Sequence, residues 1–146
     1  MRIIKFKWRD LWKRITGISS TSLTPRMTEV VGDDDNLLRR VIFTRPNYIR
    51  PDQTVTSFAF TPRKIGGIPE NLSVDVERLT TYEVSIVDRF NYRLYALKAG
   101  QVRHIGLDCE HNPLPENYAH ALIIGDVSKS RARQLAANAR RIHHPD

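Results

Sequence analysis

Three kinds of side chain fall where they could do chemistry together. Arg39 and Arg40 lie in LLRRVIF, Ser57 lies in TVTSFAF, and Asp108 and Glu110 end the stretch QVRHIGLDCE. A guanidinium can bind a phosphate and a carboxylate can stabilise developing positive charge. A second set is Asp108-Cys109-Glu110-His111, with His120 further along. Thiolate, imidazole and carboxylate are all zinc ligands. The spacing matches no zinc ribbon or finger and CxxC is missing, so the expected role is structural, with no metal. A Cys–His nucleophile pair from these residues would need a base and an orienting group brought together by the fold. His120, between two alanines, reads as a satisfied strand residue rather than a catalyst.

The order Arg40 (or Arg39), Ser57, Glu110 resembles that of mono-ADP-ribosyltransferases and related NAD-cleaving folds. That resemblance implies NAD as the substrate, with the arginine on its pyrophosphate, Ser57 positioning the pocket and Glu110 stabilising oxocarbenium character. The sequence departs from that pattern in two places. The late pair is Asp-x-Glu rather than Glu-x-Glu, and the serine strand lacks Ser-x-Ser. A basic–Ser–acidic order also arises by chance in a chain of this length, so an NAD-using, toxin-type enzyme stands as the alternative reading.

The most distinctive segment is MRIIKFKWRDLWKRIT, which holds both tryptophans and carries +5 of the formal net charge of +7. At helical period Met1, Ile4, Trp8, Leu11, Trp12 and Ile15 share one face, and Arg2, Lys5, Arg9, Lys13 and Arg14 take the other. Such a stripe needs a surface to cover it. Sixteen residues would hold only weakly to a membrane, so the reading favoured is a helix that docks in a partner protein's groove. Trp8, Leu11, Trp12 and Ile15 would be its anchors. Ile4, Phe6 and Trp8 also alternate with Lys5 and Lys7, so a strand stays open.

The rest of the chain is nearly neutral except for its end, where Lys129, Arg131, Arg133, Arg140 and Arg141 face only Asp146. These arginines could contact phosphate backbones nonspecifically. No helix-turn-helix or finger is visible, and a basic last turn that complements the helix dipole is the ordinary reading. A chain of 146 residues, 40% hydrophobic and 27% charged, fits one globular domain with an appendage. A single cysteine excludes an intramolecular disulfide, and no stretch approaches a transmembrane length, so a cytoplasmic protein is expected. GxGxxG and GxxxxGK[ST] are absent, which argues against Rossmann and P-loop nucleotide binding.

The elements that must position these residues follow from periodicity and breakers. Residues 17–36 read as a linker, with a turn or short strand near Val30 and Val31. Strands are expected at 37–43, 54–60 and 72–76, the last with Leu72, Val74 and Val76 inward and Ser73 and Asp75 outward. Leu79, Tyr82, Ile86 and Phe90 fit a helix capped by Thr80 or Thr81. YRLYALKAGQVRHIGLD predicts a hairpin turning at Lys98-Ala99-Gly100. The run 119–125 predicts a buried strand. Asp126 or Ser128 would cap a last helix whose narrow face holds Ala132, Leu135, Ala136, Ala139 and Ile142. The order predicts α+β, with a mainly antiparallel sheet of five to six strands and two helices over 37–146, plus the tethered helix 1–16.

SFAFTP…LSVD (57–75) and NPLPENYAHALIIG (112–125) resemble segments of small bacterial proteins of uncharacterised function. The similarity covers about half of the chain and implies a bacterial or mobile-element origin. Taken together, the sequence favours a small interaction module that docks on a partner protein and needs no cofactor.

Overall fold

In the computed structural model, which describes residues 27–145, the central strand is apolar on both faces and sets the architecture. This is β1 (Asn36–Ile42, NLLRRVI). Leu37 and Val41 point into a large core, and Leu38 points into a smaller one on the opposite face. The segment 1–16 and residues 17–26 of the linker lie outside the described residues.

After β1 come β2 (Lys64–Ile65), β3 (Ile68–Pro69), β4 (Leu72–Val76), α1 (Tyr82–Ile86) and β5 (Tyr92–Lys98). They are followed by α2 (Ala99–His104), β6 (Asp108–His111), β7 (His120–Ile124), α3 (Lys129–Asn138) and β8 (Arg140–Ile142). Six strands make one sheet in the order β6-β7-β4-β1-β5-β8, with every neighbouring pair antiparallel. The expected α+β class with an antiparallel sheet is therefore observed. β2 and β3 form a separate two-residue hairpin, whose turn Gly66-Gly67 has both φ values positive, as such hairpins require. On the large-core face, Val74, Leu97 and Ile123 pack with Phe60, Val102 and Leu135. On the other, Ile86 of α1 covers Leu38, Leu94 and Ala96. Among the described residues no helix is long and apolar enough to cross a membrane.

Four expectations are corrected. Residues 54–60 are not a strand. The Thr56 hydroxyl accepts from the Phe58 N–H and starts a 3-10 turn at Ser57–Phe60, which buries Ala59 and Phe60 together. The helix expected over 79–90 shrinks to α1. Thr81 caps it as foreseen, but Val87 turns the chain at φ 64° and leaves Phe90 exposed. Residues 92–108 are not a hairpin. The N–H groups of Ala99 and Gly100 donate to the carbonyls of Asp35 and Asp33, α2 begins there, and β6 ends up at the far edge of the sheet from β5's neighbour β8. Ile142 belongs to β8 rather than the last helix, because Ala139 is already extended. Gly106, at φ 94°, makes the turn from α2 into β6. A Cβ there would sit 2.5 Å from the Arg131 guanidinium.

Residues 27–35 carry no helix or strand, yet they are tied to the body. Val31 is buried. Arg103 donates to the Val31 carbonyl at 2.6 Å, to Asp33 at 2.6 Å and to Asp108 at 2.9 Å. Arg78 donates to the Val30 carbonyl, Glu29 and Asp35. The hydrogen bond from Arg78 holds the Glu29 carboxyl below its ordinary range, and that from Arg103 does the same for Asp108. A depressed carboxyl pKa contributes stability that is complete above the unfolded value, about 4, and is lost as pH falls through the folded value. Residues 31–35 are therefore expected to exchange amide hydrogens faster in Arg103→Ala, by on the order of five-fold. Because acid protonates the Asp108 carboxylate but spares the bond to the Val31 carbonyl, the gap between wild type and variant is expected to narrow as pH falls through the folded value of Asp108. Hydrogen exchange at pH 7 and pH 3 checks both statements.

Candidate functional site

The sheet is split beside its centre. β1 pairs with β5 from Asn36 to Ile42, but it pairs with β4 only at Leu37↔Val76 and Leu38↔Asp75. Beyond Leu38 the two strands part, and Arg39 takes the place of the missing ladder. Its guanidinium donates to the Ser73 carbonyl at 2.8 Å and to the Ala59 carbonyl at 3.0 Å. The opening is a cleft of about 770 Å³ lined by Arg39, Arg40, Arg45 and Arg63 together with Ser73, Asp75, Asn117 and His120. Arg39 lies on the large-core face of the sheet, and Arg40, Ser73 and Asp75 lie on the other.

Charge in this cleft is unevenly satisfied. Burial, and then the neighbouring Arg40, push the Arg39 pKa down to about 10, so the group stays protonated at neutral pH. Among the described residues no carboxylate is paired with it. Arg40 donates to the Ser85 carbonyl at 2.8 Å and lies over the Tyr92 ring. The buried Asp75 carboxylate accepts from the Ser85 hydroxyl at 2.7 Å and from the Asn117 amide at 2.9 Å. Glu70 is paired with Arg63 at 3.1 Å, and Glu116 also lines the cleft.

His120 stands opposite Asp75 across the β4–β7 ladder and is 8% exposed. Its Nδ1 lies 2.8 Å from the Asn112 carbonyl and its Nε2 lies 3.2 Å from the Ser73 hydroxyl. A carbonyl can only accept, so Nδ1 carries a proton, and in the neutral ring Nε2 is the nitrogen left to accept from Ser73. The wall formed by α1 ends in strain. Val87, with φ 64° and ψ −55°, occupies a γ-turn closed by the Asp88 N–H on the Ile86 carbonyl at 2.6 Å, a conformation that β-branched residues avoid.

The residues singled out from sequence are dispersed. Arg40 lines the cleft, but Ser57 and Glu110 do not. The Ser57 carbonyl accepts from the Thr61 hydroxyl within the 3-10 turn. Glu110 is exposed on β6, with β7 and β4 between it and β1, roughly 14 Å at the usual strand spacing. Cys109 and His111 point into the protein from β6 while Asp108 and Glu110 point out. Burial pushes the Cys109 thiol up. His111 donates from Nε2 to the Tyr118 carbonyl and accepts the Glu29 N–H at Nδ1. Among the described residues no three His, Cys, Asp or Glu side chains gather in a group that could hold a metal ion. Arg131 donates to the Asp126 carbonyl, Arg140 to Asn36 and Arg141 to Gln53, while Arg133 is exposed on α3. Trp8, Leu11, Trp12 and Ile15 lie outside the described residues. Sequence reasoning put Ser73 and Asp75 on the outward face of their strand but had no signal that His120 would join them. No protein-family model, curated protein or solved structure matches this chain.

The strain at Val87 has a direct test. Val87→Gly removes the Cβ clash at positive φ at some entropic cost, and a net gain of about 1 kcal/mol is expected. Urea unfolding of the two proteins reads it as a higher midpoint for the variant.

Proposed function

We propose that this domain works by binding a small anionic ligand in the cleft between β1 and β4. The observation that carries the reading is Arg39, a protonated guanidinium held against two backbone carbonyls with no paired carboxylate among the described residues. A desolvated cation without a counter-charge is costly, and an entering anion offsets that cost. The planar guanidinium has N–H groups to spare for a phosphate or carboxylate. Arg40 and Arg45 sit along the same path, whereas Asp75 is already engaged by Ser85 and Asn117.

Thermal unfolding in inorganic phosphate, against chloride at equal ionic strength, tests this. At about ten times the dissociation constant, phosphate should stabilise the wild type by roughly 1.4 kcal/mol, a rise in Tm of several degrees. Arg39→Met and Arg40→Ala should lose most of that rise. Equal responses in phosphate and chloride would remove the proposal.

A second reading is supported by the pattern of residues 1–16. The amphipathic, basic segment would dock the domain on a partner protein through Trp8, Leu11, Trp12 and Ile15. Nuclease-treated lysate should then yield a discrete protein with the full chain and not with the Trp8→Ala, Trp12→Ala double variant. Capture that survives the double substitution would sink this docking account. The NAD-cleaving alternative draws no support from the positions of Ser57 and Glu110 outside the cleft. Nonspecific nucleic-acid binding gains little from arginines spread over α3 and β8, three of them already hydrogen-bonded within the chain.

A further inference from the structure

We propose that Ser73 and His120 are a nucleophile and its general base, and that the cleft takes a carboxylic ester bearing a negative charge. The proposal rests on the cleft being the functional surface and adds chemistry to it. Its parts come from three places in the chain. Ser73 is the exposed position of β4 between buried Leu72 and Val74, and it lines the cleft. His120 brings an imidazole from the neighbouring strand, with Nε2 3.2 Å from that hydroxyl. The Asn112 carbonyl, 2.8 Å from Nδ1, fixes the tautomer that leaves Nε2 as the acceptor. Nucleophile, base and orienting group are the three roles that activated-serine chemistry needs.

Two further groups suit the same work. Asp75, directly opposite His120 in the ladder, places a carboxylate where it favours the imidazolium that forms on proton transfer. Arg39 holds the Ser73 carbonyl, and so fixes the backbone of the nucleophile where its strand has lost one neighbour. Arg40, which shares the sheet face of Ser73 and Asp75, would place the charge of the ester, which is why the substrate class is anionic.

The reaction balances without any other reagent than water. Ser73 Oγ attacks the ester carbonyl carbon while its proton passes to His120 Nε2. The C–O bond to the alcohol breaks, and the departing oxygen takes the proton from Nε2. Water, deprotonated by the same nitrogen, then attacks the acyl-serine. The carboxylic acid is released, and Ser73 recovers its proton from His120. Ester and water become acid and alcohol.

An alkyl fluorophosphonate tests the pair on the full chain, because Ser73 Oγ would form the O–P bond and fluoride would leave. Intact-mass and peptide analysis should show one adduct, on Ser73, and none in Ser73→Ala. Labelling should slow by about a hundred-fold in His120→Gln, which keeps a polar side chain but cannot take the proton. In the wild type, labelling should rise with pH, because only a deprotonated base can take the serine proton. This profile needs no variant, so a folding defect in His120→Gln cannot hide the answer. No adduct, an adduct elsewhere, or a rate independent of pH and of His120 would each overturn the proposal. Phosphate stabilisation that persists without Ser73 labelling would leave the anion site standing and remove only the catalytic pair. Loss of the phosphate effect as well would remove both.

Discussion

The separation of β1 from β4 after two paired residues is the constraint on which the rest of the molecule depends. One half of the sheet, β6-β7-β4, meets the other, β1-β5-β8, only through Leu37 and Leu38 against Asp75 and Val76. Backbone carbonyls left without a ladder partner need a donor, and Arg39 supplies it to Ser73. The same guanidinium reaches Ala59, so the 3-10 turn that plugs the large core with Phe60 is tied to the split. A lysine could not serve both carbonyls with a planar fork. Strand divergence, core closure and the cation in the cleft are thus one arrangement.

Much of the fold was legible because its signals are local. The alternation of LSVDV, the apolar run at 119–125 and the Ser128 cap of α3 each depend on neighbours within a turn. The failures came where a distant segment intervened. Ala99 and Gly100 looked like a turn, but the carbonyls of Asp33 and Asp35 accept from their N–H groups, and the chain starts a helix there. TVTSFAF has strand composition, yet the Thr56 hydroxyl offers its backbone a tighter local bond.

The cleft was harder to read for a related reason. Arg40 was singled out with partners, Ser57 and Glu110, that the topology keeps elsewhere. Ser73, Asp75 and His120 became neighbours only because β7 inserts beside β4 rather than beside β6 alone, a matter of strand order that spacing does not reveal. The outward face of LSVDV gave half of that group. The remaining half came from a histidine whose flanking alanines suggested nothing but burial. Polar residues on a strand whose other face is apolar are ordinarily wet. Here α1 and the loop carrying Asn117 close over Asp75, which is why it is buried, while Ser73 stays exposed.

Among the described residues, the strands that bound the sheet are Asp-Cys-Glu-His at one margin and Arg-Arg-Ile at the other. A free margin is a template on which another polypeptide can add rung by rung, the first step toward fibrils. Four and three residues offer few rungs. Each margin also carries charges of a single sign, so two copies approaching like margin to like margin repel. Growth by edge pairing is therefore limited by the shortness of both margins, although the sheet is not closed into a barrel.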